Sequence, residues 1–320
     1  MNAEVIPMTV TARPTQAPSP SPSRPSSGSR SRVVDVALTA IAPVSWGTTY
    51  VVTTELLPPD RPLLIAALRA LPAGLILLAF TRRLPTGNWW WKVAVLGTLN
   101  FGAFFPLLFF AAYRLPGGVA ATVGAVLPLV VLALSALILG ARPTLWSVGA
   151  AVTGVVGVGL MVLTSDAAID PLGVLAQLTG VLLMGTAVVL GKRWGRPDGV
   201  SLVTLTGWQL TVGGLVLAPI AFAVEGAPSA LSATNVVGFV YLGLIGTALA
   251  YFVWFRGIER LVPAQVSFLA LTNPMTALIA GFLVLGQGLS PWQLLGFLIA
   301  LGAMVAGQWQ PRQAADRHLS

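Results

Sequence analysis

The chain has no cysteine and one histidine, His318, near its C-terminal end. Disulfides, thiolate chemistry and cysteine-based metal sites are excluded, and so is a histidine dyad or metal cluster in the core. Charge is scarce: 9% of residues are Asp, Glu, Lys or Arg, against roughly a quarter in soluble domains. No acidic residue lies in the middle of an apolar run; Asp35 and Glu55 flank the first one. Proton relays in membranes use buried carboxylates or histidine, so no dedicated proton-coupling group is in view. Facilitated diffusion and coupling through Glu55 or the substrate's own charge stay open. A phosphate-binding Walker motif is missing, which argues against ATP coupling within this chain. No catalytic residue, metal ligand or cofactor is expected.

What is present is apolar. Hydrophobic residues make up 56% of the 320, a composition that belongs in a bilayer. The expected fold is an all-α integral membrane protein. Residues 1–32 are rich in Pro, Ser, Arg and Thr; they cannot bury enough apolar surface to offset ordering entropy and read as a disordered tail. Spanning a bilayer takes about 20 helical residues. Runs of that size occur at 33–53, 62–81, 90–111, 117–139, 144–163, 172–191, 200–223, 234–255, 264–285 and 290–309, ten in all. Residues 310–320 form a second tail. With the N-terminus inside, cytoplasmic segments hold 15 Lys and Arg, and the other side holds only Arg61 and Arg114. That bias places both termini in the cytoplasm. The formal charge of +8 sits between apolar runs, so nucleic acid is not an expected partner; the lipid bilayer and a small-molecule substrate are.

The chain contains one stretch twice. Moved forward by 146 positions, Leu115–Trp146 falls on Leu261–Trp292, matching Pro128 to Pro274, Gly140 to Gly286 and Trp146 to Trp292. At the same offset Gly97 falls on Gly243 and Phe105 on Tyr251. At shorter offsets Trp46-Gly47-Thr48 matches Met184-Gly185-Thr186, and Ala73-Gly74-Leu75 matches Gly213-Gly214-Leu215, which sets Arg69 opposite Gln209. Each half, 33–163 and 172–309, then holds five helices. Five is odd, so the halves insert with opposite orientation, an arrangement in which substrate binds near the midplane between repeats.

WGTTYV at Trp46–Val51, LRALPAG at Leu68–Gly74, proline-centred fourth and ninth helices and small-residue fifth and tenth helices resemble the EamA-type proteins of the drug/metabolite transporter superfamily. The resemblance runs from Val33 to Gly307. It implies a plasma-membrane carrier that exports amino acids or related metabolites. The family often places an acidic residue after the glycine ending the fourth and ninth helices; Ala141 and Gln287 stand there, so no ionic contact is expected at those helix ends.

Candidate functional residues follow from depth and polarity. Pro128 and Pro274 have no N–H, which frees the carbonyls of Gly124 and Ala270 and marks helix kinks or hinges. Arg69 is the only charge well inside a run; such a residue is a functional hypothesis by default. It is expected either to pair with Glu55 or to bind a substrate carboxylate. Trp46, Thr48, Thr49 and Tyr50 form a polar-aromatic cluster on the first helix, echoed by Thr186. Asn100, Phe104 and Phe105 on the third helix, Trp208 and Gln209 on the seventh, Thr247 and Tyr251 on the eighth and Asn273 on the ninth complete the expected binding set, since ligand pockets are mostly apolar with a few polar anchors. Ala150 and Gly154, Gly296 and Ala300, and Gly302 and Ala306 are small-xxx-small faces that permit close helix packing or a homodimer. An enzyme acting on lipid would need paired acids or a nucleophile with a base inside the spans, and none is visible. A membrane scaffold or sensor that does not transport remains a second reading.

Overall fold

The computed structural model describes residues 28–163, 170–228, 230–261, 266, 269–270 and 272–308. Most of the expected N-terminal tail and all of the C-terminal one, His318 included, lie outside them, as does Trp309. The described residues are helical, without a strand.

The first crossing is a bent pair, α1 (Gly28–Gly47) and α2 (Thr49–Leu56), meeting at 44°. Helix starts earlier than the composition implied, inside the expected tail. The bend falls on Gly47-Thr48, within the WGTTYV motif. Thr48 turns its hydroxyl back to the Ser45 carbonyl at 2.8 Å, a local bond that competes with the helical ladder and bends it. Then come α3 (Pro62–Thr81), α4 (Trp89–Gly97) and α5 (Phe104–Ala112), the last two joined by a π-helical stretch at Thr98–Ala103. The fourth crossing is broken in two, α6 (Gly117–Gly124) and α7 (Leu127–Leu139). The first piece ends at Gly124, whose carbonyl Pro128 cannot bond. Pro128 sits in the first turn of the second piece, where a missing N–H costs nothing.

The first half closes with α8 (Leu145–Leu163), and the second opens with α9 (Pro171–Trp194) and α10 (Leu202–Val224). Next are α11 (Ala233–Val240) and α12 (Ala250–Arg260), joined by a π-helical stretch at Tyr241–Leu249. Helices α13 (Thr272–Leu285) and α14 (Pro291–Gln308) follow. Among the described residues six helical segments are long and apolar enough to cross a bilayer, the bent pair makes a seventh, and α8, α13 and α14 are shorter apolar helices. Their outward faces are oily: Leu145, Leu137 and Leu283 are 91%, 81% and 72% exposed, as expected of residues facing lipid.

Glycines set the crossings. Helices α3 and α10 press together so closely that a Cβ on Gly74 would stand 2.5 Å from the Thr211 nitrogen, and one on Gly214 2.6 Å from the Leu71 backbone. Helices α8 and α14 meet in the same way at Gly157, 2.5 Å from the Ala300 nitrogen. The small faces of the fifth and tenth helices are thus used, at least there, within one chain. Gly140 and Gly286 take positive φ of 65° and 63°, and each lets the next N–H reach back six residues, Ala141 to Ser135 and Gln287 to Gly281. That left-handed cap requires glycine.

Cross-links between loops sort into two ends. One end joins Asp35 to Arg256 at 2.6 Å and to Arg260 at 3.6 Å, Arg83 to the Gly199 carbonyl, and Trp146 to the Ala306 carbonyl at 2.7 Å. The opposite end joins Tyr113 to the Pro58 carbonyl at 2.6 Å, Glu225 to the Leu63 and Leu64 N–H groups, and Arg114 to Asp170 at 2.6 Å. The first set is drawn from the segments rich in Lys and Arg.

Candidate functional site

Arg69 lies on α3 seven residues after Pro62, about 10 Å along the axis at 1.5 Å per residue. It is only 3% exposed. Its Nε donates to Thr247 Oγ1 at 2.8 Å and its Nη2 to the Gly246 carbonyl at 3.1 Å. The guanidinium stands 4.6 Å from the Phe105 ring centroid and 5.6 Å from that of Phe109, so both ring faces help to stabilise the cation. Among the described residues none of the ion pairs involves Arg69. Nη1 has no hydrogen-bond partner among the described residues.

The acceptors for Arg69 exist because the eighth crossing is locally π-helical. Within Tyr241–Leu249 the Thr247 hydroxyl bonds the Leu242 carbonyl, five residues back, at 2.8 Å. The Gly246 carbonyl turns inward and also accepts Trp46 Nε1 at 3.1 Å. Trp46 packs against Tyr251 and Trp254, with ring centroids 5.3 and 5.5 Å apart. Thr48 Oγ1 is 2.7 Å from the Tyr241 hydroxyl. The first, second and eighth crossings therefore share one polar-aromatic centre. Single-turn π segments are common at functional sites. Here they occur in both repeat mates: moved by 146 positions, Thr98–Ala103 falls on Leu244–Leu249.

The second π stretch builds the counterpart. Asn100 Nδ2 donates to Gln209 Oε1 at 3.2 Å. Gln209 is the sequence mate of Arg69, and Asn100 that of Gly246, so this bond is the repeat image of Arg69 to Gly246. The bent first crossing leans on the ninth: a Cβ on Gly47 would meet the Asn273 carbonyl at 2.5 Å and Thr276 Cβ at 2.6 Å. Its mate Gly185 faces Val130, the mate of Thr276, at 2.8 Å.

Most of the sequence-derived set lies on this framework. Trp46, Thr48, Arg69, Phe105, Thr247 and Tyr251 come together. Tyr50 is buried in a cluster against which Phe104 packs. Phe104 packs on Phe105, and Asn100 joins Gln209. Thr49 is 2% exposed with its hydroxyl unpartnered among the described residues, as is Asn273 Oδ1.

Other residues sit elsewhere. The Glu55–Arg69 pair does not form: Glu55 is exposed while Arg69 is buried and held by Thr247 and Gly246. Trp208 is buried, but its Nε1 donates to the Arg83 carbonyl at 2.6 Å, at the basic end. Thr186 bonds its own helix at Leu182. Of the two kink prolines, Pro274 is buried and Pro128 exposed. Pro128 borders a small apolar crevice with Leu129, Gly154 and Ala303, so that ring faces the fifth and tenth helices.

A family model described as the EamA-like transporter family matches residues 35–163 and again residues 171–306. The chain belongs to this family. Protein PecM of Dickeya dadantii (strain 3937) is 46% identical over 267 residues, covering 83% of this chain and 90% of PecM. The uncharacterized inner membrane transporter YedA of Escherichia coli (strain K12) is 28% identical over 264 residues, 80% of this chain and 85% of YedA. A crystal structure sharing 19% identity superposes on 86% of this chain and 96% of its own with a TM-score of 0.62, a likeness of fold alone. The protein is thus a multi-pass membrane transporter of the plasma or inner membrane.

Two features of this transporter escape sequence reasoning. The π stretches leave no mark in hydropathy. Gln177, 1% exposed on α9, looks in sequence like one more polar residue near a span end. Its signal is spacing: Gly173, Gln177 and Gly180 lie at i, i+4 and i+7, on one helix face. The family's acidic position after Gly286 also keeps a role without charge, because Gln287 Oε1 accepts the Gly117 N–H at 3.1 Å.

Proposed function

We propose that this transporter exports small metabolites, amino acids foremost, by alternating access. In this reading ten crossings form two inverted five-helix repeats, both termini lie in the cytoplasm, and substrate binds between the repeats beside Arg69.

One observation carries the substrate class. Apart from Arg256 Nη1, whose guanidinium pairs with Asp35, five side-chain atoms are buried without a hydrogen-bond partner among the described residues: Thr49 Oγ1, Arg69 Nη1, Asn100 Oδ1, Gln177 Oε1 and Asn273 Oδ1. Four are neutral oxygens that accept hydrogen bonds, and the fifth is a cationic donor. A buried charge without a counter-ion is costly in a membrane, and among the described residues none of the ion pairs involves Arg69. A ligand carboxylate would meet the cation, and a ligand ammonium would meet neutral oxygens. A zwitterionic amino acid carries both.

The architecture supports alternating access. Six long spans and a bent pair support this count of ten crossings if the three shorter apolar helices also span. The family model matches the chain twice. The matching contacts at Gly74 and Gly214, at Gly47 and Gly185, and at Arg69 and Gln209 support two halves exchanged by a two-fold axis. The basic loops gather at one end, which the positive-inside rule assigns to the cytoplasm.

Metabolite profiling tests this reading. A strain lacking the gene should accumulate an amino acid or close relative, relieved by re-expression of the wild type but not of Arg69→Ala at equal membrane abundance. An unchanged metabolite profile would defeat the exporter reading and favour a scaffold.

A further inference from the structure

Gln177 is the most buried polar side chain on the sixth crossing, and neither the sequence set nor the Arg69 centre includes it. It stands six residues after Pro171 on α9. That depth, about 9 Å at 1.5 Å per residue, is close to the depth of Arg69 from the start of α3. Tyr50, six residues before the end of α2, is level with both. Tyr50 packs in one buried cluster with Val174 of α9 and with Phe104, and Phe104 lies against Phe105, the ring over which the Arg69 guanidinium sits. Three crossings thus bring an arginine, a phenol and an amide to one level.

The surroundings of Gln177 are shaped to admit it. Gly173 lets α9 close on Leu115, and Gly180 lets it close on Phe104. Between them the Gln177 side chain enters the break of the fourth crossing, where a Cβ on Gly124 would stand 3.0 Å from Nε2. Gly124 is the residue whose carbonyl Pro128 deprives of its helical donor. Gln177 Oε1 is buried and has no partner among the described residues. An amide held at 1% exposure with an idle acceptor is expensive inside a membrane, so a purely structural filler would be better made of leucine.

We propose that Gln177 is a substrate-binding residue: its Oε1 accepts a hydrogen bond from the amino group of an amino acid whose carboxylate is held by Arg69. Arg69 then supplies affinity for any carboxylate, and Gln177 supplies preference for one that also bears an ammonium. This inference rests on the amino-acid carrier reading above.

The test is counterflow in proteoliposomes of the purified full chain. Each radiolabelled proteinogenic amino acid is compared with the carboxylic acid lacking its amino group. The variants are Gln177→Leu, which matches volume and removes the acceptor, and Gln177→Glu, which keeps one. The wild type should prefer the amino acid. Gln177→Leu should lose that preference through a KM raised about 10- to 100-fold, with the amino-free acid moved as before. Gln177→Glu should retain it. An unaltered preference in Gln177→Leu overturns the role of Gln177 while leaving the carrier reading intact. A wild type that moves no amino acid overturns that reading and this inference with it.

Discussion

Arg69 and Thr247, 178 positions apart in sequence, are joined by a buried 2.8 Å hydrogen bond from Nε to Oγ1. The bond spans the boundary between the repeats. It exists because a π-helical turn presents the Thr247 hydroxyl and the Gly246 carbonyl to one guanidinium. Its image in the other repeat joins Asn100 to Gln209, where the cation is replaced by an amide. The duplicated scaffold is therefore near-symmetric in backbone and asymmetric in charge.

Thr247→Val keeps the shape and removes the acceptor. Hydrogen bonds to charged groups are worth about 1.5–3 kcal/mol, so the variant should be less stable by that order. Thermal unfolding in detergent measures it. An unchanged melting temperature would mean that Arg69 is held by Gly246 and the aromatic rings alone.

The α3–α10 crossing depends on absent side chains. Gly74→Ala and Gly214→Ala should each cost about 1–3 kcal/mol through overpacking, because the clashes fall on backbone atoms. Gly302→Ala, with nothing within 4 Å, is the control and should leave the melting temperature where it is. Equal tolerance at all three positions would contradict the crossing.

At the other end of α13, Gln287→Ala should lose the bond to Gly117 and about 1 kcal/mol of stability. Gln287→Glu should keep the bond and gain a few tenths of a kcal/mol, since a carboxylate suits a helix N-terminus. Melting curves of the pair decide it, and a glutamate variant less stable than the alanine variant would refute the contact.

Asp170 gives a pH prediction. Its hydrogen bond with the Arg114 side chain, then the bond from the Leu172 N–H, hold its carboxyl below the ordinary value of 3.8. A carboxylate depressed in the folded state contributes stability above its unfolded pKa and loses it as pH falls through the folded one. The melting-temperature gap between wild type and Asp170→Asn should be constant above about pH 5 and shrink toward zero below pH 3.8. A gap that persists in strong acid would show that the ion pair is not its source.

The fold was unusually legible because a bilayer simplifies the code. Long apolar runs and one repeated stretch marked out the apolar helices, and Pro128 marked the break after Gly124. Arg69 stood out because charge is rare at that depth. What could not be read depended on facing rather than depth. Glu55 is near enough along the chain to pair with Arg69 but lies on an exposed face. Trp208 is deep by residue count and yet turns to the Arg83 carbonyl. Gln177 turns the opposite way, into the centre, and only its glycine neighbours at helical spacing hint at it. The π turns leave no trace because one extra residue per turn does not change apolar content.

The central claim is that Arg69 holds the carboxylate of a transported substrate. Its most direct test is amino-acid counterflow by purified wild type, Arg69→Gln and Arg69→Lys in proteoliposomes, with folding verified by thermal unfolding. Wild type should exchange label, Arg69→Gln should lose on the order of 100-fold in transport, and Arg69→Lys should recover part of it through charge alone. Full exchange by a correctly folded Arg69→Gln would contradict the account.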